Sequence, residues 1–234
     1  MKSITFAIIS CLFIFISCSN KADFTPEFIE ATSGKYLYNP DDIIEVYYEN
    51  SKMYLKWRNA HKIEPVVLED NIIFLSDLYK KMHFVKHPKT GERYLSVLPD
   101  DDNAEITYDY KKVPNDYKTP SMYLKEKNFE KAAEGFLAIR AQDSLTNLFN
   151  ERTFNGRGYL YLNEKDYESA IGIFKMNVTL FPDSDNVYDS LADAYLRSGD
   201  SLKAYSNYSK AFELNPRNER AAEYIDTYKS KLEE

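Results

Sequence analysis

Three related segments in the C-terminal half of the chain constrain its fold more than any other feature. They read YLKEKNFEKAAEGF from Tyr123, YLNEKDYESAIGIF from Tyr161 and YLRSGDSLKAYSNY from Tyr195, and the last two begin 34 residues apart. Self-similarity at a fixed period indicates supersecondary units that stack and bury a shared core. The repeat therefore predicts an all-α stack of helical hairpins over residues 119–234.

Matched positions in the last two copies carry the same kinds of side chain. A small residue, an aromatic residue, alanine, a second aromatic residue and proline occur in register, at Gly158, Tyr161, Ala170, Phe174 and Pro182 and again at Ala192, Tyr195, Ala204, Tyr208 and Pro216. This pattern resembles the tetratricopeptide repeat, whose period is also 34 residues. The resemblance implies paired antiparallel helices and a function in binding rather than catalysis.

Capping residues mark where the second helix of each hairpin begins. Asn128, Asp166 and Asp200 occupy this position, and their side-chain oxygens can accept hydrogen bonds from the first helical turn. The first two copies begin 38 residues apart, four more than the period. Because four residues make about one helical turn, we expect an extended second helix from about Phe129 to Phe149 and a degenerate first repeat.

Both ends of the helical part also carry signals. Thr119 is placed to cap the first helix, with Pro120 at its first helical position. After Pro216, one helical stripe carries Tyr224, Ile225, Tyr228 and Leu232. An amphipathic last helix of this kind is expected to close the stack.

The N-terminus reads as an export signal. MKSITFAIISCLFIFISCSN has one lysine, then an apolar run from Ile4 to Ile16, in the plan of a secretory signal, and the run is shorter than the ~20 residues of a membrane span. The Ser17-Cys18 junction resembles the lipobox of bacterial lipoproteins, although Phe15 stands where that family usually has Leu. The resemblance implies a signal peptide over residues 1–17, lipidation of Cys18 and a tether over residues 18–23. The alternative is an ordinary signal peptide or an uncleaved anchor.

The same resemblance implies a place in the cell envelope. In Gram-negative lipoproteins an Asp after the cysteine favours the inner membrane, and Ser19 here favours the outer membrane. Removal of the signal leaves Cys18 as the one cysteine, so no disulfide is available to the folded part. It also changes the formal net charge from −7 to −8. An acidic chain without a basic cluster disfavours nucleic acid as a partner.

Residues 24–117 have the sequence pattern of an antiparallel β domain. IIEVYYENSKMYLKW and MHFVKHPKTGERYLSVL each alternate apolar and polar residues on both sides of a turn, which is typical of β-hairpins. PVVLED, NIIFLS and AEITYDY predict further short strands. We expect a curled or barrel-like meander here, which makes the whole chain an α+β multidomain protein.

The β domain resembles the small domain that follows serine-β-lactamase-like hydrolase domains, especially in Bacteroidota. The resemblance covers roughly residues 30–115 and rests on the general pattern of short strands and on the opening Gly34-Lys35-Tyr36. The nucleophile motif of those hydrolases is Ser-x-x-Lys, and no serine in this chain is followed by Lys three residues later. The resemblance therefore implies a non-catalytic accessory module of a hydrolase system. The Tyr-x-Asn elements at Tyr161 and Tyr205 fall inside the repeats. A small-ligand site in a lipocalin-like β cup is a third possibility.

No other motif predicts catalysis or a cofactor. His83 and His87 are four residues apart, but on a strand this spacing separates the two side chains. Residues 100–103 resemble half of a calcium loop without its glycine and terminal glutamate. We therefore expect a non-enzymatic protein with no catalytic residue, metal or cofactor.

The repeat resemblance implies that the first helix of each hairpin lines a concave face that binds a partner. That face would carry seven residues: Arg152, Asn155, Tyr159, Asn163, Asp189, Asp193 and Arg197. Because the two aspartates repel anions, we expect a protein or peptide segment of basic or mixed charge, with Tyr159 as an aromatic anchor. The alternative is a solvated face with no ligand.

Overall fold

The structure is a computed structural model that describes residues 24–69, 71–99, 101, 104–142 and 148–233. The predicted signal peptide, Cys18 and the tether lie outside the described residues. So does most of the calcium-like segment at 100–103. Strands, one short α-helix and a 3-10 helix at Ser76–Leu78 occupy the described chain as far as Val113, and α-helices occupy it from Pro120 onward.

Antiparallel strands build one curled sheet in the first half. They are β1 (Gly34–Asn39), β2 (Asp42–Glu49), β3 (Lys52–Trp57), β4 (Ala60–Ile63), β5 (Val66–Glu69), β6 (Ile72–Leu75), β7 (Lys80–Lys86), β8 (Arg93–Val97) and β9 (Tyr110–Val113). Their spatial order is β4-β3-β2-β1-β9-β8-β7-β6-β5. The two predicted hairpins are confirmed as β2–β3 and β7–β8. Asn50 and Ser51 turn the first of them with φ values of 50° and 60°, as a two-residue hairpin loop requires.

The connection between β4 and β5 shows why the sheet must curl. These strands stand at opposite ends of the spatial order, and a flat sheet would separate them by roughly 38 Å at about 4.8 Å per strand. Residues 64 and 65 alone join them, and such a link spans about 11 Å at most. The sheet therefore bends round until its two ends meet, and the predicted barrel-like meander is confirmed.

One predicted strand is wrong. AEITYDY was expected to pair along residues 104–110, whereas β9 begins at Tyr110. Asp109 instead accepts a hydrogen bond from Val97 N through its carboxylate at 2.8 Å, and its own N–H donates to Ser96 Oγ at 3.1 Å. These side-chain contacts replace the backbone ladder, because an aspartate competes with main-chain pairing.

The inner face of the sheet carries the β-domain core. Tyr36, Ile44, Leu55, Met82 and Leu95 are buried on it. Helix α1 (Pro26–Thr32) packs over this core, and its Thr32 carbonyl accepts a hydrogen bond from the Tyr36 hydroxyl at 2.7 Å. Burial raises the pKa of Tyr36 above its usual value. A core tyrosine with its hydroxyl satisfied stabilises this end of the domain.

Helical hairpins follow. The helices are α2 (Pro120–Lys125), α3 (Phe129–Gln142), α4 (Glu151–Asn163), α5 (Tyr167–Leu180), α6 (Asp185–Arg197), α7 (Ser201–Leu214) and α8 (Glu219–Glu233). The predicted caps are confirmed: Asn128, Asp166 and Asp200 accept hydrogen bonds from the backbone N–H groups three residues on, at 3.2, 3.1 and 3.0 Å. Among the described residues, none of the helices has both the length and the apolar composition needed to span a bilayer.

The expected extension of the second helix to Phe149 is wrong. Helix α3 ends at Gln142, and Phe149 lies outside any helix. Asn150 caps α4 by accepting a hydrogen bond from Thr153 N at 2.9 Å, while the Phe149 ring lies 6.2 Å from the Phe154 ring. A polar cap flanked by an apolar pair of this spacing fixes the start of a helix. Phe149 therefore belongs to the start of α4 and not to α3.

The repeat register agrees with the packing. Ala170 and Ala204 are fully buried, as expected for helix crossings. The last helix packs through Tyr224 and Tyr228, whose rings lie 4.8 Å from Tyr208 and 4.7 Å from Tyr205. Leu232, predicted to belong to the same stripe, is 72% exposed. The closing role of α8 thus ends about one turn earlier than its apolar pattern.

The two halves touch through a carboxylate. Asp41, in the β1–β2 turn, accepts hydrogen bonds from Ser121 N at 2.7 Å and Ser121 Oγ at 2.5 Å. Burial raises the pKa of Asp41, and the bonds from Ser121 act in the opposite direction. Because unpaired N–H groups occupy the first turn of a helix, the β domain supplies part of the cap of α2.

Candidate functional site

The predicted partner-binding residues lie on two neighbouring helices. Arg152, Asn155, Tyr159 and Asn163 recur every three or four residues along α4, and Asp189, Asp193 and Arg197 do so along α6, so each set shares one helix face. The Tyr159 hydroxyl lies 3.4 Å from Ser190 Oγ across the two helices. We call the surface formed by these seven residues, together with Arg220, the α4–α6 face.

Burial divides this face into a rim and a floor. Arg152, Asn163 and Arg197 are exposed, and Asn155 and Tyr159 are partly buried. Asp189 and Asp193 are buried, with 4% and 7% of their surface exposed. The sequence pattern suggested that both aspartates would present negative charge to a partner. Their burial changes this expectation, because a buried carboxylate needs a cation or several donors inside the protein.

Asp189 obtains those partners from the last helix and its cap residue. Its carboxylate forms an ion pair with the Arg220 guanidinium. It also accepts a hydrogen bond from Asn218 Nδ2 at 3.0 Å. The side chain of Arg220 is 49% exposed and that of Asp189 is 5% exposed. The negative charge of Asp189 is therefore neutralised within the chain.

Asp193 is less completely satisfied. Its Oδ1 accepts a hydrogen bond from Arg197 Nε at 3.0 Å, and this bond raises the pKa of Arg197. Its Oδ2 is buried and has no hydrogen-bond partner among the described residues. Arg220 Nη1 lies 3.9 Å from that oxygen, which is too far for a hydrogen bond. The floor of the face thus retains an acceptor that could take one more donor.

Tyr159 is held in a defined orientation between helices. Its ring meets Phe174 edge to face with centroids 5.3 Å apart, and Phe174 is fully buried. Its hydroxyl lies 3.5 Å from Arg220 Nη2. An aromatic side chain fixed at both ends loses little conformational entropy on binding, which suits a contact residue. A second polar atom nearby, Asn155 Oδ1, is also buried without a hydrogen-bond partner in the part of the chain that the structure describes.

Sequence reasoning missed Arg220. The residue belongs to α8, which was interpreted as a cap and not as part of a site. A signal for it existed, because Arg220 precedes Tyr224 by four residues and so lies on the helix face that packs inward. A charged residue on a packed stripe indicates an ion-pair partner on the neighbouring helix.

Other parts of the described chain offer weaker sites. A cavity of about 1050 Å³ lies between α3 and α5 and is lined by residues that include Phe129, Ile171, Met176 and Lys175. Its charged groups are of both signs, and two of them, Lys127 and Asp166, form an ion pair at 2.7 Å. Within the residues described, no three His, Cys, Asp or Glu side chains come together as metal ligands. His83 is buried on β7, and burial lowers its pKa.

The chain was compared with known proteins. No family model matches it, and no curated protein does either. Solved structures that match include the first TPR domain of Spaghetti (RPAP3) bound to the HSP90 peptide SRMEEVD, at 18% identity over 49% of this chain and 88% of that chain, with a TM-score of 0.34. The type III secretion translocator chaperone SycD of Yersinia enterocolitica matches at 20% identity over 49% and 81%, with a TM-score of 0.34. The Arabidopsis OM64 TPR domain matches at 15% identity over 46% and 86%, with a TM-score of 0.32.

These likenesses fall on the C-terminal helical half. At such identities and scores they do not carry an argument about function. The helical stack is established by its own features: the capped helix pairs, the buried alanines at both crossings and the 34-residue register.

Proposed function

We propose that this protein is a non-enzymatic, membrane-anchored scaffold that binds a protein or peptide segment through its α4–α6 face. The observation that carries the proposal is the juxtaposition of a fixed, partly exposed Tyr159 with two buried carboxylates and a rim of arginines. Aromatic and arginine side chains beside a water-excluded polar centre are typical of residues that dominate binding energy. The shared helix faces of α4 and α6 would receive an extended or helical segment.

The charge of the partner follows from this arrangement. We propose a segment of basic or mixed charge, as the sequence suggested, with a revised physical reason. Acidic side chains of the partner would meet Arg152 and Arg197 on the rim. A basic side chain would have to reach the carboxylates on the floor, where Arg220 already lies. Charge complementarity of this kind selects partners and raises the association rate more than it raises affinity.

The anchoring proposal rests on the Ser17-Cys18 junction. A lipid on Cys18 would hold the chain at the outer membrane, with five residues between the lipidated cysteine and Phe24. The six Cα-to-Cα steps from Cys18 to Phe24 span about 22 Å at most when extended. The β domain would therefore lie next to the membrane surface.

Site-specific crosslinking in intact cell envelopes tests the binding face. A photoreactive phenylalanine analogue replaces the exposed Asn163 on the α4–α6 face, and matched controls replace the exposed Lys175 on α5 and the exposed Lys89 in the β7–β8 turn. We expect a protein adduct from position 163 at several times the yield of either control. Equal yields at 163 and 175, or an adduct from 89 alone, would place binding elsewhere.

Tyr159 provides the energetic test of the same proposal. Once the crosslinked partner is identified, Tyr159→Ala should weaken its binding by about 1 kcal/mol or more, roughly fivefold. Tyr188→Ala, at a partly buried tyrosine outside the face, serves as the control for general effects on folding. Lysine substitutions at Asp189 and Asp193 are unsuitable, because they would bury like charges beside Arg220 and destabilise the stack.

A further inference from the structure

The position of Arg220 is unfavourable for its own helix. It is the second residue of α8, which begins at Glu219. The unpaired N–H groups at a helix N-terminus carry partial positive charge, so a cation in the first turn costs stability. Its ion pair with Asp189 offsets that cost. The side chain therefore stays over the α4–α6 face because of the carboxylates and not because of α8.

Helix α8 does not depend on Arg220 for its attachment. Ala221 is fully buried, and Asn218 caps the helix by accepting a hydrogen bond from Ala221 N at 3.0 Å. The rings of Tyr224 and Tyr228 pack against α7. The Arg220 side chain is half-exposed, so it can rotate into solvent while the helix remains in place.

The carboxylates would still need a cation after that rotation. Asp189 and Asp193 lie four residues apart on one face of α6, and Arg220 satisfies the first far better than the second. The Asp193 Oδ2 atom is buried without a hydrogen-bond partner among the described residues. A guanidinium or ammonium group that entered from a partner could donate to both carboxylates, since its approach is not fixed by α8.

We propose that Arg220 is an internal substitute for a ligand, and that an arginine or lysine side chain of the partner segment replaces it between Asp189 and Asp193. The inference rests on the proposed function of the α4–α6 face and names the chemical group that this face recognises. The apolar stem of the incoming side chain would lie along the Tyr159 ring, where a cation is favourable. Partner binding and release of Arg220 would then be one exchange of ion pairs.

Titration with a minimal cationic probe tests the exchange. N-acetyl-arginine methylamide is added to the mature protein and to its Arg220→Gln variant, and binding is followed by backbone amide NMR shifts around Asp193. Because an internal competitor lowers apparent affinity by the fraction of time that the site is open, we expect the variant to bind about tenfold more tightly. The uncharged citrulline analogue should show no such gain. Equal affinity of both proteins for the arginine probe would overturn the proposal.

Two further variants keep the test decisive. Arg220→Gln with Asp193→Asn should lose the gained affinity, because the second carboxylate is gone. If Arg220→Gln does not fold, Arg220→Lys retains the charge with a weaker hold on Asp189 and should gain about threefold. A folded lysine variant without any gain contradicts the inference.

The outcomes separate this inference from the proposed function. Tighter probe binding by Arg220→Gln without a protein adduct at position 163 would support a cation site and refute the scaffold proposal. An adduct at 163 that depends on Tyr159, with no change in probe affinity, would support the scaffold and refute the exchange.

Discussion

Gly158 on α4 lies directly against the ring of Phe174 on α5, and replacing it with alanine should destabilise the protein. A Cβ atom there would lie 2.4 Å from Cε1 and 2.5 Å from Cζ of Phe174. Phe174 is fully buried and packs against Tyr159. The added methyl group must therefore displace a ring that has no free space to enter.

The expected magnitude is the difference between two terms. Overpacking a core of this kind costs about 1–3 kcal/mol. Alanine also improves helix propensity over glycine by roughly 0.5–1 kcal/mol. The net destabilisation of Gly158→Ala should be about 0–2.5 kcal/mol.

The same helix provides a matched control. Gly156 lies two residues earlier on α4, and a Cβ atom there meets nothing within 4 Å. Gly156→Ala therefore receives the propensity gain alone and should stabilise the protein by about 0.5–1 kcal/mol. The two variants should differ by the overpacking term, which corresponds to roughly 2–12 °C in melting temperature for a chain of this size.

Thermal and urea unfolding followed by far-ultraviolet circular dichroism measures this difference. Equal stability of Gly158→Ala and Gly156→Ala would show that the ring of Phe174 yields freely and that the hairpin is not closely packed. A double variant with Phe174→Leu adds a direct check, because removal of the ring should recover part of the Gly158→Ala cost as a favourable coupling energy. Absence of coupling would locate the strain elsewhere.

Three other outcomes are expected. Hydrogen bonds from Lys127 and Ser169 lower the pKa of Asp166 from 3.8 to about 2. Because the pKa is lower in the folded state, the stabilisation is present above about pH 4 and is lost toward pH 2. The melting temperature of wild type should therefore fall more between pH 4 and pH 2 than that of Asp166→Asn, and parallel curves of melting temperature against pH would refute the pairing. Ala204→Leu should cost roughly 1–3 kcal/mol of unfolding free energy, against about half a kcal/mol for the exposed Ser206→Leu, and equal melting would mean that the repeat register is misplaced. Metabolic labelling with a fatty-acid probe should mark wild type and not Cys18→Ser, and a labelled mutant would contradict lipidation at Cys18.

The sequence allowed much of the helical half to be predicted, because its signals are local. A cap residue directly precedes its helix and accepts a hydrogen bond from the N–H three residues on, and the small residues at helix crossings recur with the repeat period. The wrong predictions concerned segments whose local sequence pattern is compatible with two different structures. Residues 104–110 alternate like a strand, but the Asp109 carboxylate takes the place of a backbone acceptor at Val97. Phe149 is compatible with two structures: the end of a longer α3, or the apolar residue that precedes the Asn150 cap of α4.

The site was harder to predict, because its charges pair across the stack. Arg220 is 61 residues from Tyr159 in sequence, and the distance between them is set by the rotation of α8 on α7. That rotation is fixed by Tyr224 and Tyr228, which the apolar stripe did indicate. The apolar stripe and Arg220 share one face of α8. Predicting the site therefore required the orientation of α8 on α7, which the two sequence signals did not provide separately.

The capping helix therefore combines two tasks that different residues perform. Its tyrosines bury the end of the core, as the last helix of a stack must, and its first turn places a cation over the carboxylates of α6. Because the tyrosines lie one and two turns beyond Arg220, changes at the two places should have separable effects. Loss of Tyr224 or Tyr228 should lower the stability of the stack, whereas loss of Arg220 should change which charges the α4–α6 face presents while the fold is kept.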